Sequence, residues 1–315
     1  MTGLPADEVA VEVPASSANL GPGFDALAVA LDLTLSVTAI PRLQRRVLAS
    51  GLGADELPSD DTNLVWRGFV AYCERFGVDA PDISLATANE IPLERGLGSS
   101  AAAAVAGVAL GRDLVRAGGT DADLIALATG LEGHPDNAAA ALLGGLVICA
   151  DGLAHRIEPA PTLRPLICIP DSRQSTSLAR GVLPETVPLA DAAGNGARTA
   201  MVLAGLAGHI AWEPSVMHDV LHEPARFEVM TDSGALVMAL RAQGIGACLS
   251  GAGPTVLAIL PVDDMAAPDI VRTAAGEGWD VRPASWHRRG ASRVHISRRR
   301  QPAARVTGSG GGSKE

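Results

Sequence analysis

Gly96-Leu97-Gly98-Ser99-Ser100-Ala101-Ala102, set between Pro92 and a long alanine-rich stretch, commits this chain to a tight turn running straight into a helix. Two glycines allow the turn, two hydroxyls follow, and strong helix formers carry the free N–H groups of a first helical turn toward whatever lies in front. Such a loop is built to hold an anion, and a phosphate is the usual one. The sequence carries one lysine, Lys314, in a Gly/Ser-rich tail. A Walker-type lysine, a lysine Schiff base and a lysine general base are therefore excluded from the folded part. Phosphate charge has to be met by a helix N-terminus, hydroxyls, arginine and metal. The same run fits the looser dinucleotide pattern G-x-G-x-x-A, which needs a strand entering the first glycine and an acidic residue ending the next strand. Here Pro92-Leu93-Glu94-Arg95 intervenes, and Asp121 reads as a helix N-cap, so that pattern fits poorly.

The 315 residues are enough for two domains, and 47% apolar content with a mean hydropathy of +0.22 makes the chain globular. Aromatic residues are only 3% and the formal charge is −10, which argues against nucleic acid as a partner. Asp7, Glu8 and Glu12 stand where a secretory signal would carry positive charge, and the uncharged stretch from Gly96 to Gly111 is too short to span a bilayer. A cytoplasmic protein without a membrane partner is expected. Cys73, Cys149, Cys168 and Cys248 lack C-x-x-C spacing and read as reduced core thiols.

Along the chain, Val9 to Val13 alternates and stops at Pro14 as a short strand, Ala15 to Asp25 reads as a loop, and Leu27 to Ile40 as a longer strand. Asp61-Thr62-Asn63 caps a helix through Glu74, and Ile83 to Ala88 is a strand leading to the glycine loop. Helices follow at Ala101 to Arg116, Asp121 to Leu131 and Asn137 to Leu142, then a strand at Gly144 to Cys149. A proline-spaced connection from Pro159 to Pro165 marks a domain boundary. Beyond it the pattern gives strands at Leu166 to Ile169, Ala247 to Leu249 and Val256 to Leu260, with helices near Ala197 to Ala211, Ser233 to Gln243 and Asp269 to Gly276. Strands and helices mix without regular βαβ alternation, and a flexible tail starts near Arg298.

Four further stretches carry candidate chemistry. Pro14-Ala15-Ser16-Ser17-Ala18-Asn19-Leu20-Gly21-Pro22-Gly23-Phe24-Asp25 is good turn sequence that also presents small polar groups and a carboxylate. Glu132-Gly133-His134-Pro135-Asp136-Asn137 places two carboxylates about a helix break. They could simply end one helix and cap the next, or hold Mg²⁺ and orient a hydroxyl. Arg180 and Arg226 each follow a polar segment and could be surface charges, or could converge on a carboxylate. His218, His222 and Glu223 lack the H-E-x-x-H order and read as a helix face rather than a metal cluster. Gly244 to Thr255 is a second glycine-rich loop.

Taken together and in this order, Pro14–Asp25, Pro92–Ala102 and Gly244–Thr255 resemble the three signature motifs of the GHMP kinases, a family of ATP-dependent small-molecule kinases, and the resemblance spans the chain up to the tail. The form of the first motif, the Glu-Gly-His-Pro-Asp-Asn run and the Glu-Pro-Ala-Arg run are similar to the branch that phosphorylates L-homoserine on the way to threonine. Mevalonate kinases carry a lysine in the first motif that this chain lacks. The resemblance implies an α+β fold with an N-terminal domain like the second domain of ribosomal protein S5 (7–157), a C-terminal ferredoxin-like domain (158–297) and a flexible tail (298–315). It implies ATP and Mg²⁺; a homodimer is common in that family, though the sequence itself does not give the oligomeric state. By resemblance, Pro92, Leu93, Glu94, Arg95, Gly96, Leu97, Gly98, Ser99, Ser100, Ala101 and Ala102 bind ATP, and Asn63 touches the adenine end. Ser100 and Glu132 hold the metal. Asn19, Asp25, His134 and Asp136 surround the substrate hydroxyl and ammonium, while Thr176, Arg180 and Arg226 hold its carboxylate and Gly253 adds to that site. Asn19, Ser100, Glu132 and Asp136 form the implied catalytic set. With no lysine opposite it, Asp136 is expected to aid binding more than proton transfer.

Overall fold

The computed structural model describes residues 9–44 and 46–295. In chain order the first half runs β1 (Val9–Ala18), β2 (Leu27–Pro41), β3 (Val47–Gly51), α1 (Leu64–Arg75), β4 (Ile83–Asn89), α2 (Ser99–Val115), α3 (Asp121–Glu132), α4 (Pro135–Leu143), β5 (Leu146–Ala150) and β6 (Leu153–Ile157). The second half runs β7 (Leu163–Pro170), α5 (Thr176–Gly181), α6 (Leu189–Leu206), a 3₁₀ turn (Pro214–Val216), α7 (Glu223–Val229), α8 (Thr231–Ala242), β8 (Gly246–Leu249), β9 (Val256–Pro261), α9 (Ala267–Ala275), β10 (Trp279–Pro283) and β11 (Ser292–His295). The expected tail, 298–315, lies outside the described residues. No helix among the described residues is long and apolar enough to cross a membrane.

The first sheet has seven strands, ordered β11-β1-β2-β4-β3, with β5 on β2 and β6 on β5. β1 does not stop at Pro14 as the sequence pattern suggests. Its register jumps between Pro14, opposite Thr34, and Ala15, opposite Leu31, so Asp32 and Leu33 bulge from β2 and the strand continues to Ala18. A bulge is where a sheet tolerates a residue without an N–H. The same bulge lets β2 pair with β4 through Leu35–Pro41 and with β5 through Leu27–Val29. It thereby delivers Ser16, Ser17 and Asn19 to the mouth of the later loops.

The alanine-rich α2 is buried almost all round because α1 crosses it backbone to backbone. A Cβ on Gly68 would lie 2.5 Å from Ala104 O, and one on Gly107 only 2.2 Å from Val65 O. Small residues there are a packing requirement, not an accident of composition. Asn63 caps α1 as expected, its Oδ1 accepting the Val65 N–H at 3.0 Å. Thr120, not Asp121, caps α3, in a capping box with Asp123.

The second sheet is antiparallel with order β10-β7-β9-β8. Helices precede β8 and join β9 to β10, the β-α-β-β-α-β order of a ferredoxin-like unit. It has its own core, in which Leu236, Val237 and Leu240 of α8 meet Leu166, Cys168, Val256 and Ala258. The span 158–297 expected for the second domain does not stay apart from the first sheet. Leu31 bridges Trp286, and β11 pairs antiparallel with β1, so the last strand returns to the first sheet. β3, β6, β10 and β11 carry no sequence signal strong enough to stand out. They are short strands, β6 for example being largely exposed.

Candidate active site

The three glycine-containing stretches, remote in sequence, meet at one cleft. The Ser16 N–H donates to Leu97 O at 3.1 Å and the Gly251 N–H to Ala18 O at 3.0 Å. The Ser250 hydroxyl donates to Gly96 O at 2.7 Å and lies 2.9 Å from Ser17 Oγ. Gly98, with φ +68°, leaves no room for a Cβ, which would sit 2.1 Å from Ser16 Oγ. Gly96, with φ +73°, would place one 2.2 Å from Ser250 O. Gly96 thus serves the approach of backbone to backbone, and Gly98 the approach of the Ser16 side chain, as much as the approach of a ligand. Gly96→Ala combines a left-handed conformation with a clash against main chain. It is expected to cost about 3 kcal/mol and lower Tm by on the order of 5 °C, read by thermal unfolding.

The cleft has a volume of about 660 Å³ and runs from Leu57, Pro58 and Asn63 past the α2 N-terminus to Asp25, Arg180 and Arg226. At the latter end Asp25 and Arg180, 155 positions apart, form a forked ion pair with Arg180 Nη2 to Oδ1 at 2.6 Å and Nη1 to Oδ2 at 3.2 Å. Arg180 Nε donates to His134 Nε2 at 3.1 Å. Arg226 is 2% exposed, and burial, with Arg180 adding to it, pushes its guanidinium down to about 10. Both guanidinium carbons lie 5.6 Å from the centroid of the Phe24 ring, within range of a cation–π attraction.

Between the ends sits Asp136, 2% exposed in the first turn of α4, with Oδ1 accepting the Asn137 N–H at 2.7 Å. Burial pushes its carboxyl up to about 6. The Asn137 N–H opposes that rise and the negative charge of Asp25 assists it. Glu132 closes α3 and its Oε2 accepts from the Ser100 hydroxyl in the first turn of α2; burial raises its carboxyl as well. A hydroxyl and a carboxylate in contact beside a helix N-terminus are hard oxygen donors, the set that suits Mg²⁺. At the other rim, Glu56 and Arg173 form a forked ion pair across the mouth, with Nη2 to Oε1 at 2.7 Å.

Asn19, Asp25, Asn63, Ser100, Glu132, His134, Asp136, Thr176, Arg180 and Arg226 all line the cleft, as do Pro92 to Ala101. Ala102 is fully buried beneath it. Gly253 does not line it: Gly251 and Ala252 do, while Gly253 faces Met230, whose Sδ would be 2.7 Å from an added Cβ. Two asparagines are already engaged. Asn19 donates to Gly251 O at 2.8 Å and accepts from the Asp25 N–H at 3.1 Å, whereas Asn63 donates to Pro58 O at 2.7 Å and caps α1. Each holds a turn of the wall in place. The reading of His218, His222 and Glu223 as one helix face is corrected. His218 precedes α7 and bonds Ser215 O at 2.9 Å, His222 is its N-cap, and Glu223 is its first residue, buried against Arg241. Sequence reasoning also passed over Phe24, Glu56 and Arg173. Phe24 alone had a signal, as a rare aromatic inside a turn motif.

A family profile described as GHMP kinases N terminal domain matches residues 63–145. The chain is 42% identical to the homoserine kinase of Streptomyces avermitilis over 298 residues, covering 90% of this chain and 95% of that one. It is 40% identical to the homoserine kinase of Leifsonia xyli subsp. xyli, covering 86% and 87% respectively. Among solved structures, the crystal structure of homoserine kinase from Cytophaga hutchinsonii superposes with a TM-score of 0.79 at 26% identity, over 91% of this chain and 98% of that one.

Proposed function

The chain belongs to the homoserine kinases, a branch of the GHMP kinases, and from that premise we propose how its cleft divides the work. The reaction is transfer of the terminal phosphoryl group of ATP to the side-chain hydroxyl of L-homoserine, giving O-phospho-L-homoserine and ADP on the route to threonine. The observation that carries the assignment of the substrate end is the Asp25–Arg180 pair with Arg226 beside it. A zwitterionic amino acid can enter by exchange, its ammonium taking Asp25 while its carboxylate takes Arg180 and Arg226. A neutral alcohol would leave that pair intact and gain nothing from it.

At the other end, the loop from Pro92 to Ala101 and the α2 N-terminus face the triphosphate, and the apolar wall of Leu57, Pro58 and Val65 faces the base. Ser100 and Glu132 are the residues that would hold Mg²⁺, which when bound offsets phosphate charge that no lysine among the described residues can meet. Asp136 stands between the substrate end and the metal pair. Its raised carboxyl places it near the optimum for accepting the hydroxyl proton at neutral pH. Catalysis otherwise rests on alignment and on preorganised donors rather than on a strong base. Four buried free cysteines agree with a reducing, cytoplasmic setting.

The assignment is tested by ADP release with MgATP across L-homoserine, L-serine, L-threonine, mevalonate and galactose, with Glu132→Gln alongside. Turnover selective for L-homoserine and lost in the variant is the expected result. Selective turnover of a neutral alcohol would overturn the substrate end of the proposal.

A further inference from the structure

His222 is fully buried beneath the substrate end and takes no part in the division of labour above. Its Nε2 lies 3.0 Å from Gly21 O, in the turn that carries Asn19 and Asp25. Its Nδ1 lies 3.1 Å from Arg226 Nη1. Arginine has only donors and a carbonyl only accepts, so the ring is neutral, with its proton on Nε2 and its lone pair on Nδ1 toward Arg226. The surroundings enforce that state. Asp219 Oδ1 accepts the N–H groups of Leu221, His222 and Glu223 at 2.8, 2.5 and 3.1 Å, fixing the backbone on which the ring is mounted. The Phe24 ring covers the imidazole at 5.1 Å. Burial, with the Arg226 charge adding to it against Asp219, pushes the imidazole down to about 4, so it stays neutral at working pH.

The consequence lies in which protons Arg226 has left. Its Nε donates to Ala179 O at 3.3 Å, and its Nη1 donates to Gly251 O at 3.1 Å and to His222. The Nη2 protons remain for the cleft. We infer that His222 is a positioning residue for the substrate, tying the Asp25 turn to Arg226 through one ring and setting the separation between the ammonium and carboxylate sites. The inference rests on the homoserine kinase reading of the cleft. It adds a residue that touches neither substrate nor nucleotide yet decides the fit of an α-amino acid.

Two variants divide the ring's bonds. His222→Gln keeps a donor near Gly21 O and loses the acceptor for Arg226, whereas His222→Asn keeps a polar group near the Nδ1 position. In His222→Gln the KM for L-homoserine should rise about tenfold, the loss expected for one hydrogen bond to a charged group, with a smaller rise in His222→Asn. The KM for ATP should stay within twofold in both, which separates positioning from general loosening of the fold. A homoserine KM unchanged in both variants, or an ATP KM rising in parallel, overturns the inference. Nitrogen-15 NMR of the wild-type histidines supplies a readout independent of variant folding: one imidazole should remain the neutral Nε2–H tautomer from pH 8 down to pH 5. If no such imidazole is found, the inference fails. Wild-type turnover of L-homoserine reports on the functional reading separately, so the two failures are distinguishable.

Discussion

Asp136→Asn is expected to lower kcat by about 10²–10⁴ and, at the same time, to make the protein harder to unfold at alkaline pH. Both effects follow from the burial of one carboxylate. Asp136 is 2% exposed, and burial raises its carboxyl from 3.8 to about 6 in the folded state. A raised folded-state value means that the native protein favours the protonated form. The associated stability is fully present below about 3.8 and is lost as pH rises through about 6. Above that, holding the ionised group in place costs about 3 kcal/mol, the equivalent of a shift of roughly two units. Asparagine keeps an oxygen for the Asn137 N–H, which Asp136 Oδ1 accepts at 2.7 Å, and has no charge to desolvate. The variant should therefore melt several degrees above wild type at pH 8, and the gap should shrink by about half at pH 5 and close only toward 3.8. Activity runs the other way. Wild-type kcat should fall on acidification through about 6 as Asp136 takes up its proton, and the residual activity of the variant should lack that limb. A variant whose homoserine KM rises while kcat changes less than about tenfold would return Asp136 to the orienting role expected from the missing lysine.

Arg226→Ala should raise the KM for L-homoserine by on the order of 10²–10³ while leaving the KM for ATP within twofold. Arg226 is buried, and its guanidinium satisfies Ala179 O, Gly251 O and His222 Nδ1 before it meets a ligand. Truncation takes the Arg226 donor from Ala179 O and His222 Nδ1, leaves Gly251 O with Asn19 alone, and leaves the substrate carboxylate with Arg180 alone, which Asp25 already holds. Arg226→Lys should recover little, because a single ammonium cannot satisfy three acceptors and a carboxylate in the geometry of a planar fork. 3-Amino-1-propanol, a probe without the carboxylate, should bind weakly to wild type and lose little further in the variant. An equal loss for both compounds would mean that Arg226 supports the cleft wall and does not read the carboxylate.

Much of this site was legible in the sequence because its ingredients are local. The tight turn at Gly96 and Gly98 and an asparagine cap at Asn63 are decided within a few residues, and the sequence shows them directly, whereas the helix read from Asn137 starts earlier, at Pro135, with His134 and not Asp136 at its cap position. The absence of lysine before the tail is likewise a property of the sequence alone, and it already excludes whole classes of chemistry. The order of the three motifs pointed to the family that the relatives bear out.

What only the tertiary structure decided are the partnerships between remote residues. Nothing within reach of Gly96 announces that Ser250 O will stand where its Cβ would be, and nothing near Asp25 announces Arg180 as its partner. His222 read as part of a helix face because histidine carries no signature of burial, and its meaning appears only when Gly21 and Arg226 arrive on either side. Gly253 fell one residue short because a loop's spacing does not say which of its carbonyls turns inward. The closing strand β11 is four residues long, too short for its own pattern to show, and exists because β1 offers it an edge. Local conformational preference is written into the chain, whereas the choice among long-range partners is made by burial and hydrogen-bond satisfaction over the whole fold.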